Sequence, residues 1–351
     1  MTGSLTRTSG ATTSQSATAK PQVESGARPV LDRNSRVLVT GAGGFIGSRL
    51  VERLLQVGCT VVGVDIFTDY YSPSVKRANL LTALGDSRFQ LIEADVVTAD
   101  LAGLLDGVDA VCHLAGQPGV RESWGTSFET YLRDNVLAGQ RLLGALAERP
   151  VPTVIASSSS VYGGSSGEPL AENAPLRPVS PYGMTKLALE QLTEVYRRDS
   201  GIPVVMLRYF TVFGPCQRPD MAFQRFIEAA VRRKPIRVFG SGNQSRDFTY
   251  VDDAVAATLA AFGAPSPAYN VGGGTPATVN EVLSLIGELT GRALDVVHEP
   301  HARGDALHTW ADTRLARTEL GWRPCTSLVD GLAAQLDSYL RRAKEPMAVL
   351  T

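Results

Sequence analysis

The chain has 351 residues, of which 44% are hydrophobic and 20% charged, and its formal net charge is −1. This composition excludes disorder along the whole chain, and the balanced charge argues against a nucleic-acid partner held by phosphate neutralisation. No apolar run approaches the roughly 20 residues of a membrane span, so we expect no membrane association. The four cysteines lie far apart without metal-site spacing, which predicts free thiols and a cytoplasmic protein.

The first 34 residues differ from the rest of the chain. They are rich in Ser, Thr, Gly and Ala and lack the continuous apolar stretch of a secretory signal. We therefore expect 1–34 to be a disordered leader outside the fold. Because a single lobe stops growing at about 250–300 residues, the remainder predicts one large domain with a second, smaller lobe.

From Arg36 onward, short apolar strands alternate with helical segments. The predicted strands of this part are 36–40, 60–65, 89–95, 109–115, 152–159 and 203–210. Strands this apolar must bury both faces, so the pattern indicates a parallel sheet covered by helices on both sides. The predicted fold class is α/β, with a doubly wound, Rossmann-type sheet over 35–210.

Beyond Phe210 the alternation weakens, which indicates a smaller lobe mainly over 211–345. We predict helices at 223–233, 252–262, 278–291 and 328–342, and strands at 236–240, 268–274 and 294–300. The stretch 241–250 is polar and precedes the helix at 252–262, and no strand is predicted in it. The segment 252–271 is a candidate for a return to the main sheet.

A glycine turn joins the first predicted strand to the first helix. Gly41, Gly44 and Gly47 have GxxGxxG spacing, one residue off the dinucleotide-binding pattern, at a position where backbone must approach a pyrophosphate. Asp65 ends the second strand, where a carboxylate accepts hydrogen bonds from a ribose diol and repels a 2′-phosphate. These features favour NAD over NADP, and an ordinary tight turn with a solvated carboxylate is the alternative.

Three residues form a candidate catalytic group. Tyr182 and Lys186 are four residues apart at the start of a predicted helix, so they share one face. A cation beside a phenol lowers the pKa of the phenol and makes it a general base. A surface pair is the alternative, but Ser158 in the serine cluster ends the fifth strand, where a doubly wound sheet presents its ligand.

These motifs together resemble the extended short-chain dehydrogenase/reductase family, in its nucleotide-sugar branch of epimerases, dehydratases and decarboxylases. The resemblance runs from about Arg36 to Leu340. The strings that carry it are VLVTGAGGFIG, VVGVD, HLAG, NVLAG, SSSSVYG, SPYGMTK, LRYFTVFGP, SRDFTYVDD and ADTRLARTELGWRP.

The resemblance implies a role for each matching position. Ser158 would bond the reacting hydroxyl, Tyr182 would shuttle its proton and Lys186 would hold the nicotinamide ribose. The implied NAD-binding residues are Gly41, Gly44, Phe45, Ile46, Gly47, Asp65, Asp95, Val96, Leu114, Ala115, Gly116, Asn135, Tyr182, Lys186 and Tyr209. The implied sugar-nucleotide contacts are Ser159, Ser160, Thr211, Arg218, Val238, Arg246, Arg303 and Asp305, with Arg246 and Arg303 on the diphosphate. A homodimer through helices at 131–146 and 182–196 is also implied.

The residues at the end of the fifth predicted strand reduce the number of candidate reactions. Dehydratases of this branch usually have Asp-Glu where this chain has Ser159 and Ser160, and decarboxylases generally have a Glu in that segment. Thr211 replaces the Asn that is usual in galactose-type epimerases, and the stretches 67–80 and 218–229 resemble UDP-glucuronate 4-epimerases. The expected activity is therefore an isomerase reaction, NAD-dependent conversion of UDP-glucuronate to UDP-galacturonate through a transient 4-keto intermediate.

Three other functions stay open from the sequence alone. They are UDP-glucose/UDP-galactose 4-epimerisation, UDP-glucuronate decarboxylation, and a non-catalytic role as an NAD-binding regulator. His298, His301 and His308 do not predict a metal site, because Pro300 breaks any helix that could align them.

Overall fold

A computed structural model describes residues 31–344 of the chain. The expected leader at 1–34 therefore lies outside the described residues, apart from 31–34. The strands of the described part are β1 Arg36–Thr40, β2 Thr60–Asp65, β3 Phe89–Glu93, β4 Ala110–His113, β5 Thr153–Ser158, β6 Val204–Tyr209, β7 Thr211–Phe213, β8 Ile236–Phe239, β9 Ser245–Tyr250, β10 Ala268–Val271, β11 Pro276–Thr278 and β12 Val296–Glu299.

Helices connect most of these strands. They are α1 Phe45–Val57, α2 Pro73–Asn79, α3 Leu81–Leu84, α4 Leu101–Leu104, α5 Phe128–Tyr131, α6 Ala138–Glu148, α7 Pro181–Ser200, α8 Ala222–Arg232, α9 Val251–Ala260, α10 Val279–Thr290, α11 Arg314–Glu319 and α12 Leu328–Lys344. Short 3-10 turns lie at Gly125–Ser127 and Ser159–Val161, and a π-helical segment at Leu132–Leu137 joins α5 to α6.

The main sheet has seven strands in the order β10-β6-β5-β4-β1-β2-β3, and all neighbours are parallel. The chain crosses over at β1, because β2 and β4 flank that strand. The carboxyl ends of the two halves consequently diverge there and leave a crevice, as in doubly wound sheets generally. The predicted α/β class and parallel Rossmann sheet are confirmed.

Two apolar layers cover the sheet. On one face, side chains such as Val37 and Val39 of β1 pack with Leu50 and Leu54 of α1. On the other face, Leu38 of β1 packs in a cluster with residues of α6 and α7. Burying each such side chain contributes about 1.5–3 kcal/mol, so these layers hold the strand ends at fixed positions.

The smaller lobe has its own sheets and core. β7, β9 and β11 form a three-stranded sheet, β8 and β12 pair in parallel, and α8, α10 and α12 contribute buried apolar side chains. The polar stretch 241–250 contains β9 in its second part, a strand that was not predicted. The polar Asp247 conceals the strand, since it is buried and accepts hydrogen bonds from the backbone N–H groups of Gly273, Gly274 and Ala311.

The segment 252–271 lies with the larger domain. Helix α9 packs in the same apolar layer as α1, and β10 pairs with β6 as the edge strand of the main sheet. The chain therefore leaves the main sheet after β6, builds part of the smaller lobe and then returns. This route places loops of the smaller lobe beside the carboxyl ends of β5 and β6.

Candidate active site

A cavity of about 430 Å³ lies at the carboxyl ends of the main-sheet strands, on the side of the smaller lobe. Nineteen of the predicted site residues line it: Gly41, Gly44, Phe45, Ile46, Gly47, Asp65, Asp95, Val96, Leu114, Ala115, Gly116, Ser158, Ser159, Ser160, Tyr182, Lys186, Tyr209, Thr211 and Arg218. Residues far apart in sequence thus meet in one space, as the strand order requires.

The glycine turn is packed too tightly for side chains. Gly41 has φ +72°, and a Cβ atom there would lie 2.7 Å from the backbone nitrogen of Ala115. A Cβ atom on Gly47 would lie 2.0 Å from the carbonyl oxygen of Gly41. No side chain caps the start of α1 at Gly44, so its first-turn N–H groups face the cavity as an anion site. This bare helix end fits the pyrophosphate of a dinucleotide.

Asp65 links the end of β2 to the glycine turn. Its Oδ2 accepts a hydrogen bond of 2.9 Å from the Gly43 N–H, and its Oδ1 accepts one of 2.7 Å from the Phe67 N–H. Each carboxylate oxygen retains a second acceptor site, and Asp65 lines the cavity. The carboxylate can therefore orient the turn and still receive the two hydroxyl groups of a ribose diol.

Replacing Asp65 tests this arrangement. We expect Asp65→Ala to weaken NAD binding about 10- to 100-fold, because a charge-assisted hydrogen bond contributes about 1.5–3 kcal/mol. Calorimetric titration of NAD into cofactor-stripped protein measures the change. Glu93→Ala, at the end of the neighbouring β3, is the matched control and should bind NAD normally. An affinity unchanged in Asp65→Ala would remove this residue from the site.

Tyr182 and Lys186 enter the cavity from the first turns of α7. The helix begins at Pro181, and the Ser180 side chain caps it by accepting a hydrogen bond of 3.1 Å from the Gly183 N–H. The Lys186 Nζ donates to the carbonyl oxygen of Ala156 in β5 at 3.1 Å. Lys186 is therefore fixed against the strand that carries Ser158, and Tyr182 lies one turn before it on α7.

The electrostatics of this pair differ from the expectation. Burial raises the pKa of Tyr182, and the contacts with Ser158 and Arg218 lower it by less. Burial also lowers the pKa of Lys186 to about 8, while the negative charge of Glu190 acts in the opposite direction. The prediction that the protein's own charges leave the Tyr182 pKa lowered is therefore wrong, because desolvation outweighs them.

Asn135 lies behind the cavity wall rather than on it. It belongs to the π-helical segment, is buried, and its Oδ1 accepts a 2.7 Å hydrogen bond from the Gln117 N–H. Its Nδ2 donates to the Gln117 carbonyl and to the Thr185 hydroxyl, each at 3.0 Å. The amide thus ties the loop after β4 to the start of α7.

The serine cluster and Thr211 present hydroxyl groups to the same cavity. Ser158 ends β5, and its hydroxyl accepts a 3.1 Å hydrogen bond from the Ser160 N–H. Arg218 also lines the cavity, but its guanidinium pairs with the Asp220 carboxylate at 3.0 and 2.9 Å. Neutral hydroxyl groups on this wall are therefore available to a ligand, whereas the Arg218 charge is already partly compensated.

Four predicted substrate residues do not line the cavity. Val238 is 1% exposed and packs in the core of the smaller lobe, so its side chain does not support the predicted substrate contact, which stays a prediction. Its place on β8 faces it inward. Arg246 donates from Nη1 to the Ser245 carbonyl at 2.9 Å and to the Leu307 carbonyl at 3.2 Å.

The remaining two residues of that set meet a loop of the larger domain. The Arg303 guanidinium stacks 3.7 Å from the ring centroid of Trp124, and Asp305 accepts a 2.7 Å hydrogen bond from Arg121. Both contacts join 301–305 to 121–124. Arg303 and Asp305 thus bridge the two parts of the chain beside the cavity.

Sequence reasoning missed the wall formed between β2 and α2. Tyr70, Tyr71 and Lys76 line the cavity, and the Lys76 Nζ donates to the backbone carbonyl and the hydroxyl of Thr68 at 2.8 and 2.9 Å. The string FTDYYSPSVKRANL contains these residues, but nothing in its pattern shows that it folds over a strand end. Only the three-dimensional structure identifies Tyr70, Tyr71 and Lys76 as cavity residues.

One family model matches the part of the chain that contains the cavity residues and nearly all of the main sheet. The family model described as the NAD dependent epimerase/dehydratase family matches residues 37–272, which include the glycine turn, the serine cluster, Tyr182 and Lys186. The chain belongs to the NAD-dependent epimerase/dehydratase family. The resemblance predicted from the motifs is thereby confirmed. NAD is the cofactor of this epimerase/dehydratase chain, and the glycine turn and Asp65 present the groups that NAD requires.

Relatives in the epimerase/dehydratase family align along nearly the full described length. The chain is 47% identical to the uncharacterized UDP-glucose epimerase YtcB of Bacillus subtilis, over 87% of this chain and 98% of that protein. It is 36% identical to the UDP-glucuronate 4-epimerase of Thermodesulfobacterium geofontis, over 84% and 93%. The crystal structure of the Bacillus cereus UDP-glucuronic acid 4-epimerase with UDP-glucuronic acid and NAD superimposes with a TM-score of 0.85 at 41% identity, covering 88% and 99%.

The described residues hold neither a metal site nor a membrane-spanning helix. Within residues 31–344, no three His, Cys, Asp or Glu side chains come together as a metal site. The histidines make local contacts instead; for example, the His298 Nδ1 lies 2.8 Å from the Gly240 carbonyl oxygen. Over the same residues, no helix is both long and apolar enough to cross a membrane.

Proposed function

We propose that the protein is a NAD-dependent UDP-glucuronate 4-epimerase that forms UDP-galacturonate through a transient 4-keto intermediate. The observation that carries the proposal is that Ser158, Tyr182 and Lys186 meet in the cavity that also contains the glycine turn, Asp65 and Thr211. The names of the Thermodesulfobacterium and Bacillus cereus relatives support this substrate. A binding protein would have no need for a serine, tyrosine and lysine poised for proton transfer.

The proton transfer is assigned to the side chains at the end of β5 and the start of α7. Bound NAD in its oxidised form supplies an acceptor for the C4 hydride and a positive charge on the nicotinamide ring. Tyr182, as the phenolate, takes the proton of the sugar 4-hydroxyl, and Ser158 orients that hydroxyl. Because burial raises the Tyr182 pKa, the phenolate depends on nearby cations, and the Arg218 charge acts in this direction. We assign the same role to Lys186, which lies one turn along α7 from Tyr182.

The 4-keto uronate poses a particular difficulty for the enzyme. It is a β-keto acid, and it loses carbon dioxide when its carboxylate bond stands perpendicular to the carbonyl plane. We infer that Thr211 and the serine cluster hold the carboxylate near that plane by neutral hydrogen bonds. Arg218 is a weaker candidate for contact with the sugar carboxylate, because its guanidinium already forms two hydrogen bonds with the Asp220 carboxylate. The ketone can then present its other face before it is reduced.

Thr211→Ala tests this restraint. We expect the variant to convert UDP-glucuronate with a larger fraction of decarboxylated UDP-pentose, because one hydrogen bond to the carboxylate is lost. Product ratios are measured by NMR at equal conversion. Thr290→Ala, in α10 where its hydroxyl bonds the Ile286 carbonyl, is the control and should give wild-type products. An unchanged product ratio in Thr211→Ala would show that Thr211 does not hold the sugar carboxylate near the carbonyl plane.

Separate incubations with UDP-glucuronate and UDP-glucose test the substrate. We expect UDP-galacturonate from the first at the higher kcat/KM. UDP-glucose/UDP-galactose epimerisation is the second candidate, favoured by the name of the Bacillus subtilis relative. Preference for UDP-glucose would select it, UDP-pentose as the main product would select a decarboxylase, and turnover of neither would favour an NAD-binding regulator.

We further propose a homodimer through α7 and the π-helical segment with α6. Large apolar side chains are exposed on these two elements, with Met184 at 51% and Val195 at 61% on α7, and Leu132 and Leu137 at 44% on the π-helical segment. Apolar faces of this kind are characteristic of an isologous interface between identical subunits.

Sedimentation velocity tests the dimer. We expect a dimer at micromolar concentration, and a monomer for the variant Met184→Glu with Val195→Glu, because two charges would be buried at the interface. The exposed Val329→Glu in α12 is the control and should remain dimeric. A wild-type monomer would contradict the proposal.

We also propose a cytoplasmic location. The four cysteines are free in the structure, in keeping with a reducing compartment. Fractionation of the native host with an antibody against the protein tests this location.

A further inference from the structure

A buried ion pair lies directly behind the catalytic wall. Arg208 of β6 and Glu190 of α7 have side chains that are only 7% and 6% exposed. The guanidinium grips the carboxylate as a fork, with an Nε–Oε1 distance of 3.0 Å and an Nη2–Oε2 distance of 2.7 Å. Such a pair is costly to bury, and nothing in the proton transfer described above uses it.

Further hydrogen bonds extend this pair into neighbouring elements. The Ser157 hydroxyl of β5 donates to the Glu190 carboxylate. The Arg208 Nη1 donates to the Tyr162 hydroxyl and to the Glu172 carbonyl oxygen, both at 2.8 Å. The pair therefore fastens α7 to β5, to β6 and to the chain that follows the serine cluster.

The pair lies on the same helix and the same sheet as the catalytic group. Tyr182, Lys186 and Glu190 follow one another at intervals of four residues, so they lie along one face of α7. Ser157 immediately precedes Ser158 on β5, and it lies opposite Arg208 in the β5–β6 register. A shift of α7 along the sheet would break the Arg208 fork and at the same time displace Tyr182 and Lys186 from Ser158.

We propose that Glu190 and Arg208 are positioning residues, which hold α7 in register with β5 so that Tyr182 and Lys186 meet Ser158 in the reactive arrangement. The inference rests on the proposed proton transfer, and it adds two residues to the support of that site. Neither residue touches substrate or cofactor in this role. Their geometric effect passes through the backbone of α7 and β5, and the Glu190 charge in addition acts directly on Lys186.

The pair also has an electrostatic consequence. Lys186 and Arg208 are the charged groups that face Glu190 directly, and Tyr162 and Glu172 lie beyond Arg208. The charge of Glu190 raises the pKa of Lys186 against the effect of burial. Removing that charge lowers the Lys186 pKa further, so the ammonium would be lost at lower pH. The pH profile of an activity that needs this ammonium then has its alkaline limb at lower pH than in the wild-type enzyme.

Two variants separate geometry from charge. Glu190→Gln retains a hydrogen-bond acceptor for Ser157 but removes the charge. We expect kcat to fall about 10-fold with KM unchanged, and the alkaline limb of the pH profile to move down by about one pH unit. Arg208→Lys retains the charge but loses the fork. We expect a similar loss in kcat, with the alkaline limb in its wild-type position.

Thr193→Val provides the matched control on the same helix. Thr193 is buried on α7, and its hydroxyl bonds only the Leu189 carbonyl within the helix. We expect this variant to keep wild-type kcat, KM and pH profile even where its thermal stability decreases. Equal kinetic losses in Thr193→Val and Glu190→Gln would reduce the pair to general stabilisation and overturn the proposal.

Direct titration of Lys186 provides a readout that does not depend on turnover. The chain has five lysines, so protein labelled with ¹³C at the lysine Cε gives a spectrum simple enough to assign with Lys186→Met. We expect the Lys186 midpoint at lower pH in Glu190→Gln than in wild type, and unchanged in Arg208→Lys. An unchanged midpoint in a folded Glu190→Gln protein would contradict the proposal, whichever sugar nucleotide the enzyme uses.

A separate control is needed for folding, because Glu190→Gln leaves Arg208 without its buried partner and can destabilise the protein. Glu190→Gln combined with Arg208→Gln removes both charges and should fold. We expect a lowered kcat with unchanged KM, and a smaller shift of the Lys186 midpoint in the same direction. Wild-type kcat in this double variant would overturn the proposal.

Discussion

Tyr182→Phe should lower kcat about 10²–10⁴-fold while NAD stays bound. The substitution removes one hydroxyl and leaves the ring, which packs edge-on against Tyr131 at a centroid distance of 6.3 Å. The loss should appear mainly in kcat, because the phenol acts on the proton that moves rather than on the nucleotide. Steady-state kinetics and spectroscopic measurement of bound NAD test this expectation together.

Tyr196→Phe is the matched control for Tyr182→Phe. Tyr196 lies on the same helix α7, and its hydroxyl accepts a 2.8 Å hydrogen bond from the Gln140 side chain, away from the cavity. We expect near-normal turnover in this control. Turnover at the wild-type rate in Tyr182→Phe would show that the proton transfer is assigned to the wrong residue.

Gly47→Ala should abolish most NAD-dependent activity through a purely steric effect. The added Cβ atom would lie 2.0 Å from the Gly41 carbonyl oxygen, and neither backbone can move without opening the turn. We expect a cost of about 1–3 kcal/mol in the free energy of unfolding. We also expect about a 10²-fold loss in kcat/KM, because the pyrophosphate site is displaced. Thermal unfolding measures the first effect, and steady-state kinetics together with NAD titration measure the second.

Gly144→Ala controls for the general effect of alanine in a helix. Gly144 lies within α6, and the nearest atom to a Cβ placed there is the Tyr196 hydroxyl oxygen at 3.9 Å. Alanine favours helix by up to about 1 kcal/mol over glycine, so this variant should be as stable as wild type or more stable. Normal NAD affinity in Gly47→Ala would mean that the turn is not the cofactor site.

Much of the larger domain could be predicted because its signals are local. The strand 36–40, the turn that follows it and Asp65 lie close together in sequence, and their order alone indicates a dinucleotide fold. Tyr182 and Lys186 were identifiable for the same reason, since helical spacing places them on one face. The residues predicted at the strand ends, such as Asp65 and Ser158, line one cavity together with Tyr182 and Lys186.

What could not be predicted depends on contacts distant in sequence. Strand β9 was missed because Asp247 reads as a loop residue until its three backbone partners from other segments are known. The place of Val238 in the core of the smaller lobe could not be predicted, because motif position does not reveal which way a strand residue faces. The Tyr182 pKa was predicted with the wrong sign, since burial depends on the whole fold.

The most direct test of 4-epimerisation is the fate of the hydrogen on C4 of the sugar. UDP-glucuronate carrying deuterium at C4 is incubated with the enzyme in ordinary water, and the products are identified by NMR. Because the same hydrogen leaves as hydride and returns to the opposite face, we predict UDP-galacturonate that retains deuterium at C4. Loss of the deuterium to solvent, or UDP-pentose as the main product, would contradict the proposed function.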